Sequence, residues 1–295
     1  MNGAGAARLS DGRLHLQHGP IDLIIEAFGE PAEVEAAYRQ AVDRFGDILP
    51  TLVGELPLLR RPVGDAYPRL QGRVARRMVK AVWPYRNIFI TPMAAVAGAV
   101  ADEVLQAMCA GRSLDKAYVN NGGDIALHLD PGHSLRAGIF GLALDGAVQL
   151  IYDRPVRGIA TSGWRGRSFS LGIADSATVL ATTAAAADAA ATVIANAVTI
   201  DHPAIERRPA RTLDPDSDLL DLPVTVAVGP LPRREVAEAL GHGVTEARRL
   251  RCRDLIEGAA LSLQGQWRLE QSVLDHAALV AGGRASLGSH PGSFM

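Results

Sequence analysis

Aromatic side chains are scarce: Trp, Tyr and Phe together make up 5% of the chain. A core with few rings excludes large aromatic clusters and favours close packing of helices on sheets through small side chains. Cysteine is nearly absent. Cys109 and Cys252 fall in different predicted helices, which excludes a disulfide framework and a CxxC metal site and suits a reducing cytoplasm. Neither sign of charge dominates. A formal net charge of −2 predicts no attraction to nucleic acid or to an acidic membrane. Long uninterrupted apolar runs are missing too. The longest, 178–200, is mostly alanine and contains Asp188 and Asn196, so it makes a poor membrane span. The opening MNGAGAARLSDGRLHL has no apolar h-region, so no signal peptide is expected. There is no Walker P-loop, and Gly3–Ala4–Gly5 lacks the preceding strand of a dinucleotide fingerprint. What is present is enough for a sizeable core: 295 residues, of which 48% are hydrophobic.

Periodicity orders the rest. Residues 13–28 alternate as strands, and 31–46 read as an amphipathic helix opened by Pro31. Residues 47–68, rich in Pro, Leu and Gly, read as a connection, and 69–82 as a basic helix. A short strand over 87–90 leads to Thr91 as N-cap and Pro92 as the first residue of a helix rich in small side chains. Residues 117–129 read strand, glycine loop, strand. Residues 135–152 read as paired strands joined near Asp145–Gly146. Short strands over 156–174 turn at Gly163–Gly166 and precede an alanine helix. The segment 203–223 reads as a loop and 224–228 as a strand. Residues 232–263 read as helix broken near Gly241–Gly243, and the tail from about 276 as irregular. Strand pairs with helices between them predict an α+β fold.

Three short stretches carry candidate chemistry. The first is Asn120–Asn121–Gly122–Gly123–Asp124 between two apolar strands. Its glycines permit positive φ and let a ligand approach the amides, although a plain hairpin turn uses the same residues. The second, Thr161–Ser162–Gly163, ends a strand at a glycine turn. Its hydroxyls suit a phosphate, or simply a turn. No histidine lies within short range, so a serine nucleophile is unsupported. The third is AAAADAAATVIANAV, residues 184–198, where Asp188, Thr192 and Asn196 stand four apart and so share one helix face. Asp188 and Thr192 suit a hard cation such as Mg²⁺, or an internally bonded helix. The basic helix carries Arg69, Arg73, Arg76, Arg77 and Lys80 with no interleaved aromatics, as a solvated face does. His15 and His18 read as structural or surface residues.

Taken in order, VNNGGDI, GIATSG and ADAAAT resemble the ApbE family, flavin transferases that move FMN from FAD onto a Thr or Ser of a target flavoprotein. TPMAAVAGAVADEV, DPDSD and the stretch around Leu255–Ala259 look more like a smaller branch of ApbE-like proteins, over most of residues 15–265. The resemblance implies an ApbE-like α+β fold, related to T-folds, with mixed sheets and packed helices. It implies a single domain over 1–295, with room for two subdomains and an irregular tail over 276–295. It places Asp188 and Thr192 at Mg²⁺ beside the pyrophosphate of FAD. It places Asn121, Gly122, Gly123 and Asp124 on the flavin-nucleotide loop, and Thr161, Ser162 and Gly163 on the neighbouring strand end. The family's transferases follow TSG with a His-Ile-x-Asp-Pro pattern that supplies the catalytic histidine. The stretch Ser170–Asp175 has neither histidine nor a proline after the Asp, which leaves Asp175 as the nearest candidate base. The resemblance therefore implies a cytoplasmic protein that binds FAD (or FMN) with Mg²⁺. Its reaction is flavin transfer or pyrophosphate cleavage. A different class is a non-catalytic flavin-binding or maturation partner of a flavoprotein or redox complex. A third option, by fold analogy, is an enzyme for a pterin- or purine-like ligand. The expected partner is a small-molecule nucleotide, with no nucleic acid and no membrane, and an oligomer stays open.

Overall fold

The computed structural model describes residues 3–138 and 147–271. In chain order it contains β1 (Gly5–Arg8), β2 (Leu14–His18), β3 (Ile21–Phe28), α1 (Pro31–Phe45), α2 (Ile48–Leu59), α3 (Arg73–Val82) and α4 (Val96–Cys109). Then follow β4 (Lys116–Asn121), β5 (Asp124–Leu129), β6 (Ser134–Gly138), β7 (Ala147–Ile151), β8 (Gly158–Ser162), β9 (Ser176–Ala181) and α5 (Ala184–Ala197). The last elements are β10 (Ile205–Pro209), β11 (Pro223–Val228), α6 (Arg233–Arg251), β12 (Gly258–Leu263) and β13 (Gln266–Gln271). The fold is α+β, as the alternation of elements predicts. The expected turn at Asp145–Gly146 and the tail over 276–295 lie outside the described residues. No helix among the described residues is long and apolar enough to cross a membrane.

The chain divides into two units. The first is Met1–His133 with Pro155–Ala160 and Leu180–Ala190; the second is Ser134–Arg154 with Thr161–Val179 and Ala191–Met295. In the first unit the antiparallel strand order is β1-β2-β3-β4-β5, and β5 pairs onward with Gly158–Ile159 of β8. Alternation sets its inner face: Ile21, Leu23, Ile25 and Ala27 of β3 are buried, and the residues between them are not. Phe45, Ile48, Leu59, Met78 and Met108 from the helices complete this core. In the second unit β12 pairs antiparallel with β13, β10 with β11, and β6 with β7.

Several local expectations are corrected. Residues 47–68 are not all connection, since α2 spans Ile48–Leu59. Pro50 sits in its first turn, where no N–H is needed, and the burial of Ile48, Leu52 and Leu59 outweighs the donor missing at Pro57. No strand forms over 87–90. Thr91 makes no side-chain cap, and a 3-10 turn over Pro92–Ala95 precedes α4. The basic helix starts at Arg73, with the Gln71 and Gly72 N–H groups donating to Glu55 at 2.6 and 2.9 Å. The loop expected over 203–223 contains β10, whose partner strand is β11. α6 runs through Gly241 and Gly243 without a break. A Cβ on Gly243 would lie 2.4 Å from Val198 Cγ2, so this glycine serves packing rather than a turn. GAALSL at 258–263 is a fully buried strand, where helix had been expected. A short apolar run has no period that separates the two.

Both cysteines are free. Burial, reinforced by Asp130, pushes the Cys109 thiol up to about 12, whereas Cys252 is exposed. Alkylation by iodoacetamide at mildly alkaline pH is expected to label Cys252 and spare Cys109 in the native protein, since only the thiolate reacts. Mass mapping that found Cys109 modified first would contradict this environment.

Candidate functional site

In the first unit the strands β4 and β5 meet at a two-residue turn. Asn121 pairs with Asp124, and between them Gly122 (φ 65°) and Gly123 (φ 110°) take the positive dihedrals that side chains avoid. Asn120 Oδ1 accepts the Gly123 N–H at 2.8 Å. An ideal Cβ on Gly123 would meet nothing within 4 Å, so space is open above the turn. Asn121 is buried, and its Nδ2 donates to the Ala97 carbonyl at 3.1 Å. The amide thus fastens the hairpin to the start of α4.

The next residue, Gly98, donates its N–H to Asp188 Oδ2 at 3.0 Å. Gly98 is required there because a Cβ would lie 2.3 Å from the Ala184 carbonyl oxygen. One turn further along α4, Asp102 accepts the N–H groups of Ala184 and Ala185 at 3.0 and 2.9 Å, so it caps α5 from a neighbouring helix. Burial pushes the Asp102 carboxyl above the usual range, against the pull of these two N–H groups. Asp188 is raised well above its ordinary value, first by burial, then by the charge of Asp124 and, less, of Asp102. The N–H groups of Gly98 and Ala97 oppose that shift without cancelling it. Two carboxylates therefore act on a third, Asp188, here. Asp102 was not among the sequence candidates. The signal for it was an acid in the small, apolar helix sequence AAVAGAVADEV.

Among the described residues, no group of three or more His, Cys, Asp or Glu side chains is arranged to hold a metal by itself. Mg²⁺ does not require one. It commonly takes one or two carboxylates and completes its shell with phosphate oxygens and water. An acid whose carboxyl is raised by burial and then by facing acids has the chemistry that a divalent cation relieves. The residues present thus fit the ion.

The second unit contains the other candidates. Thr161 Oγ1 lies 2.8 Å from Thr178 Oγ1, and Ser162 is half-buried. A Cβ on Gly163 would come within 2.5 Å of the Asp175 carbonyl oxygen, so backbone approaches backbone at this turn. Asp175 is occupied: Oδ1 accepts Trp164 Nε1 at 3.2 Å, Oδ2 accepts the Gln264 N–H at 2.6 Å, and Arg165 Nε stands 3.6 Å away. Thr192 is half-buried on α5, four residues after Asp188. Asn196 Oδ1 accepts Ser170 Oγ at 3.1 Å and the Leu171 N–H at 2.9 Å, which makes it an internally bonded helix residue. Replacing Asn196 with alanine is expected to cost about 1–3 kcal/mol, because it leaves the Leu171 N–H without an acceptor. A urea midpoint equal to that of the wild type would refute this.

The chain has relatives over most of this length. It is 36% identical over 191 residues to a UPF0280 protein of Methanosarcina acetivorans, covering 62% of this chain and 72% of that protein. It is 31% identical over 214 residues to a UPF0280 protein of Methanopyrus kandleri, covering 68% of this chain and 79% of that one. Among solved structures, the flavin transferase ApbE from Vibrio cholerae superposes with TM-score 0.45 at 11% identity, covering 91% of this chain and 97% of that chain. The flavinyl transferase ApbE of Pseudomonas stutzeri, in its apo form, superposes with TM-score 0.42 at 11% identity, covering 92% and 95%. The family model described as AbpE bacteria matches residues 6–269. With that match and UPF0280 relatives aligned over more than two thirds of their own length, the chain belongs to the AbpE bacteria family.

Proposed function

We propose that this protein binds a flavin nucleotide, FAD (or FMN), together with Mg²⁺ in the cytoplasm. The observation that carries this reading is the placement of Asp188, whose Oδ2 takes the Gly98 N–H beside the Asn121-anchored glycine turn and whose carboxyl is raised by burial and by the charges of Asp124 and Asp102. Bound Mg²⁺ would supply charge neutralisation for the nucleotide's pyrophosphate and for this carboxylate together. Asp188 would be its protein ligand, with Thr192 assigned on the resemblance. The Gly122–Gly123 turn stands beside open space at Gly123, its shape held by the Gly123 N–H bond to Asn120, and Asp124 stands next to it. Asn121 positions this turn through Ala97. Thr161, Ser162 and Gly163 are assigned to the same ligand on the resemblance.

For the reaction, FMN transfer to a target flavoprotein or cleavage of the FAD pyrophosphate both need a base. Asp175 is the nearest acid in the stretch where the resembling family has its histidine, but both its oxygens already accept hydrogen bonds. We assign Asp175 to holding the Trp164 and Gln264 segments in place. That commitment favours a second reading, a flavin-binding or maturation partner of a redox enzyme that performs no transfer itself.

Calorimetric titration with FAD, with and without Mg²⁺, tests the binding. The wild type is expected to bind more tightly with Mg²⁺. Asp188→Asn is expected to lose roughly tenfold or more of that Mg²⁺-dependent affinity, the weight of one charged contact. Absence of FAD binding by the wild type, or an unchanged Mg²⁺ effect in Asp188→Asn, refutes the proposal. Mass measurement of a candidate partner after incubation with FAD separates the two readings: FMN attached to the partner supports transfer, and retained, unreacted FAD supports the second.

A further inference from the structure

The basic helix has no part in the candidate site, and its surroundings differ from what its sequence suggests. Residues 58–89 hold eight Arg or Lys residues and one acid, Asp65, in a chain whose net charge is −2. Arg77 and Arg73 turn to the buried Glu103, at 2.8 and 3.6 Å. Arg61, Arg69, Arg76, Lys80 and Arg86 remain exposed. Aromatics absent from the helix itself arrive from its flanks. Tyr67 packs edge-to-face on Trp83 at 4.9 Å between ring centroids, and the Arg86 guanidinium lies 5.0 Å from the Trp83 ring centroid. The Val63 N–H donates to the Ile90 carbonyl at 2.9 Å, which ties the two flanking segments together. Tyr67, Ile88, Leu58 and Phe89 are left 49%, 48%, 41% and 37% exposed. Ile88 and Phe89 are consecutive, at a turn next to Arg86.

From this arrangement we infer that the surface formed by the 58–69 and 83–89 segments with the outer face of α3 docks on an anionic phospholipid bilayer. Charge complementarity selects the occupant. Exposed cations outnumber the two acids of the patch, Asp65 and Glu55, and Glu55 is engaged by the Gln71 and Gly72 N–H groups, so the patch suits a plane of acidic headgroups, and its apolar tips suit the acyl layer beneath them. Single-stranded nucleic acid fits less well. Trp83 is already engaged by Tyr67 and Arg86, Ile88 and Leu58 offer no ring, and Phe89 alone makes no run of rings for successive bases. The net charge of the whole chain conceals this patch, because the compensating acids lie elsewhere in the sequence.

The test is co-sedimentation of the full-length protein with vesicles of phosphatidylcholine containing roughly 30% phosphatidylglycerol, against pure phosphatidylcholine. Binding is expected only to the anionic vesicles, falling steeply as salt is raised. Arg61→Glu with Arg86→Glu is expected to weaken it by about tenfold or more, as is Ile88→Ser with Phe89→Ser, while the conservative pair Arg61→Lys with Arg86→Lys retains it. The wild-type melting curve, kept by every variant, excludes misfolding, since these side chains are exposed. Equal binding to both vesicle types, no binding to either, tighter binding to an RNA oligonucleotide, or anionic binding that survives both double substitutions overturns the inference. FAD titration of the double variants distinguishes this from the flavin reading, because their FAD affinity is expected to be unchanged.

Discussion

Gly98→Ala is expected to destabilise the protein by about 3 kcal/mol, the upper end of what overpacking costs in a core. The added methyl would lie 2.3 Å from the Ala184 carbonyl oxygen and 2.7 Å from the Ala185 nitrogen. Both contacts are backbone, at the first turn of α5, so no side chain can swing aside. Relief requires α4 and α5 to separate. That movement would lengthen the Gly98 N–H bond to Asp188 and the two bonds by which Asp102 caps α5. The thermal midpoint should fall by roughly 6–12 °C, and the Mg²⁺ dependence of FAD affinity should weaken with it. Thermal melting monitored by circular dichroism checks the first effect. A midpoint within experimental error of the wild type would show that the helices are not in contact at Gly98.

Glu103→Ala is expected to cost about 3 kcal/mol, by a different route. Glu103 is 1% exposed, and its oxygens take Arg44 Nε at 2.9 Å and Arg77 Nε at 2.8 Å. Removing the carboxylate takes from two guanidiniums the buried partner they share, leaving Arg44 with Asp47 and Arg77 with Gln106. They are partly solvated, which puts the cost at the low end for a broken buried pair. Burial alone would raise the carboxyl, but the hydrogen bonds from Arg77 and Arg44 outweigh it and hold Glu103 below its ordinary value. The sign follows. Near and below the ordinary glutamate value the unfolded chain binds a proton that the folded chain does not. The stabilisation is therefore full above that value and is lost as pH falls through the lower, folded one. Melting curves between about pH 6 and about pH 3 should show a steeper loss for the wild type than for Glu103→Gln. Parallel curves would mean that the arginines do not act on Glu103.

The GG turn was legible because a two-residue connection between apolar strands leaves few alternatives, and both glycines take positive φ. The alanine helix was legible from propensity and from polar residues four apart. Three segments were misread for one reason: α2, β10 and β12 lack a period that decides between strand, helix and coil, and their partners decide instead. α2 forms over two prolines because its apolar face is buried, and β10 exists because β11 lies beside it.

By itself the sequence determined that Asp188 and Asn196 stand on one helix face, that a glycine turn separates Asn121 from Asp124, and that no histidine occupies Ser170–Asp175. Local spacing and composition suffice for each of these. Tertiary structure decided what the face looks at. It set Asn196 to hold the Ser170–Leu171 segment and placed Asp188 against Gly98 under the charge of Asp124 and Asp102. The four-residue spacing fixes the direction of a side chain along its own helix. The upward shift of the Asp188 carboxyl, which supports the proposed Mg²⁺ site, depends on burial and on charges brought in from α4 and β5, at separations in sequence that no local pattern encodes.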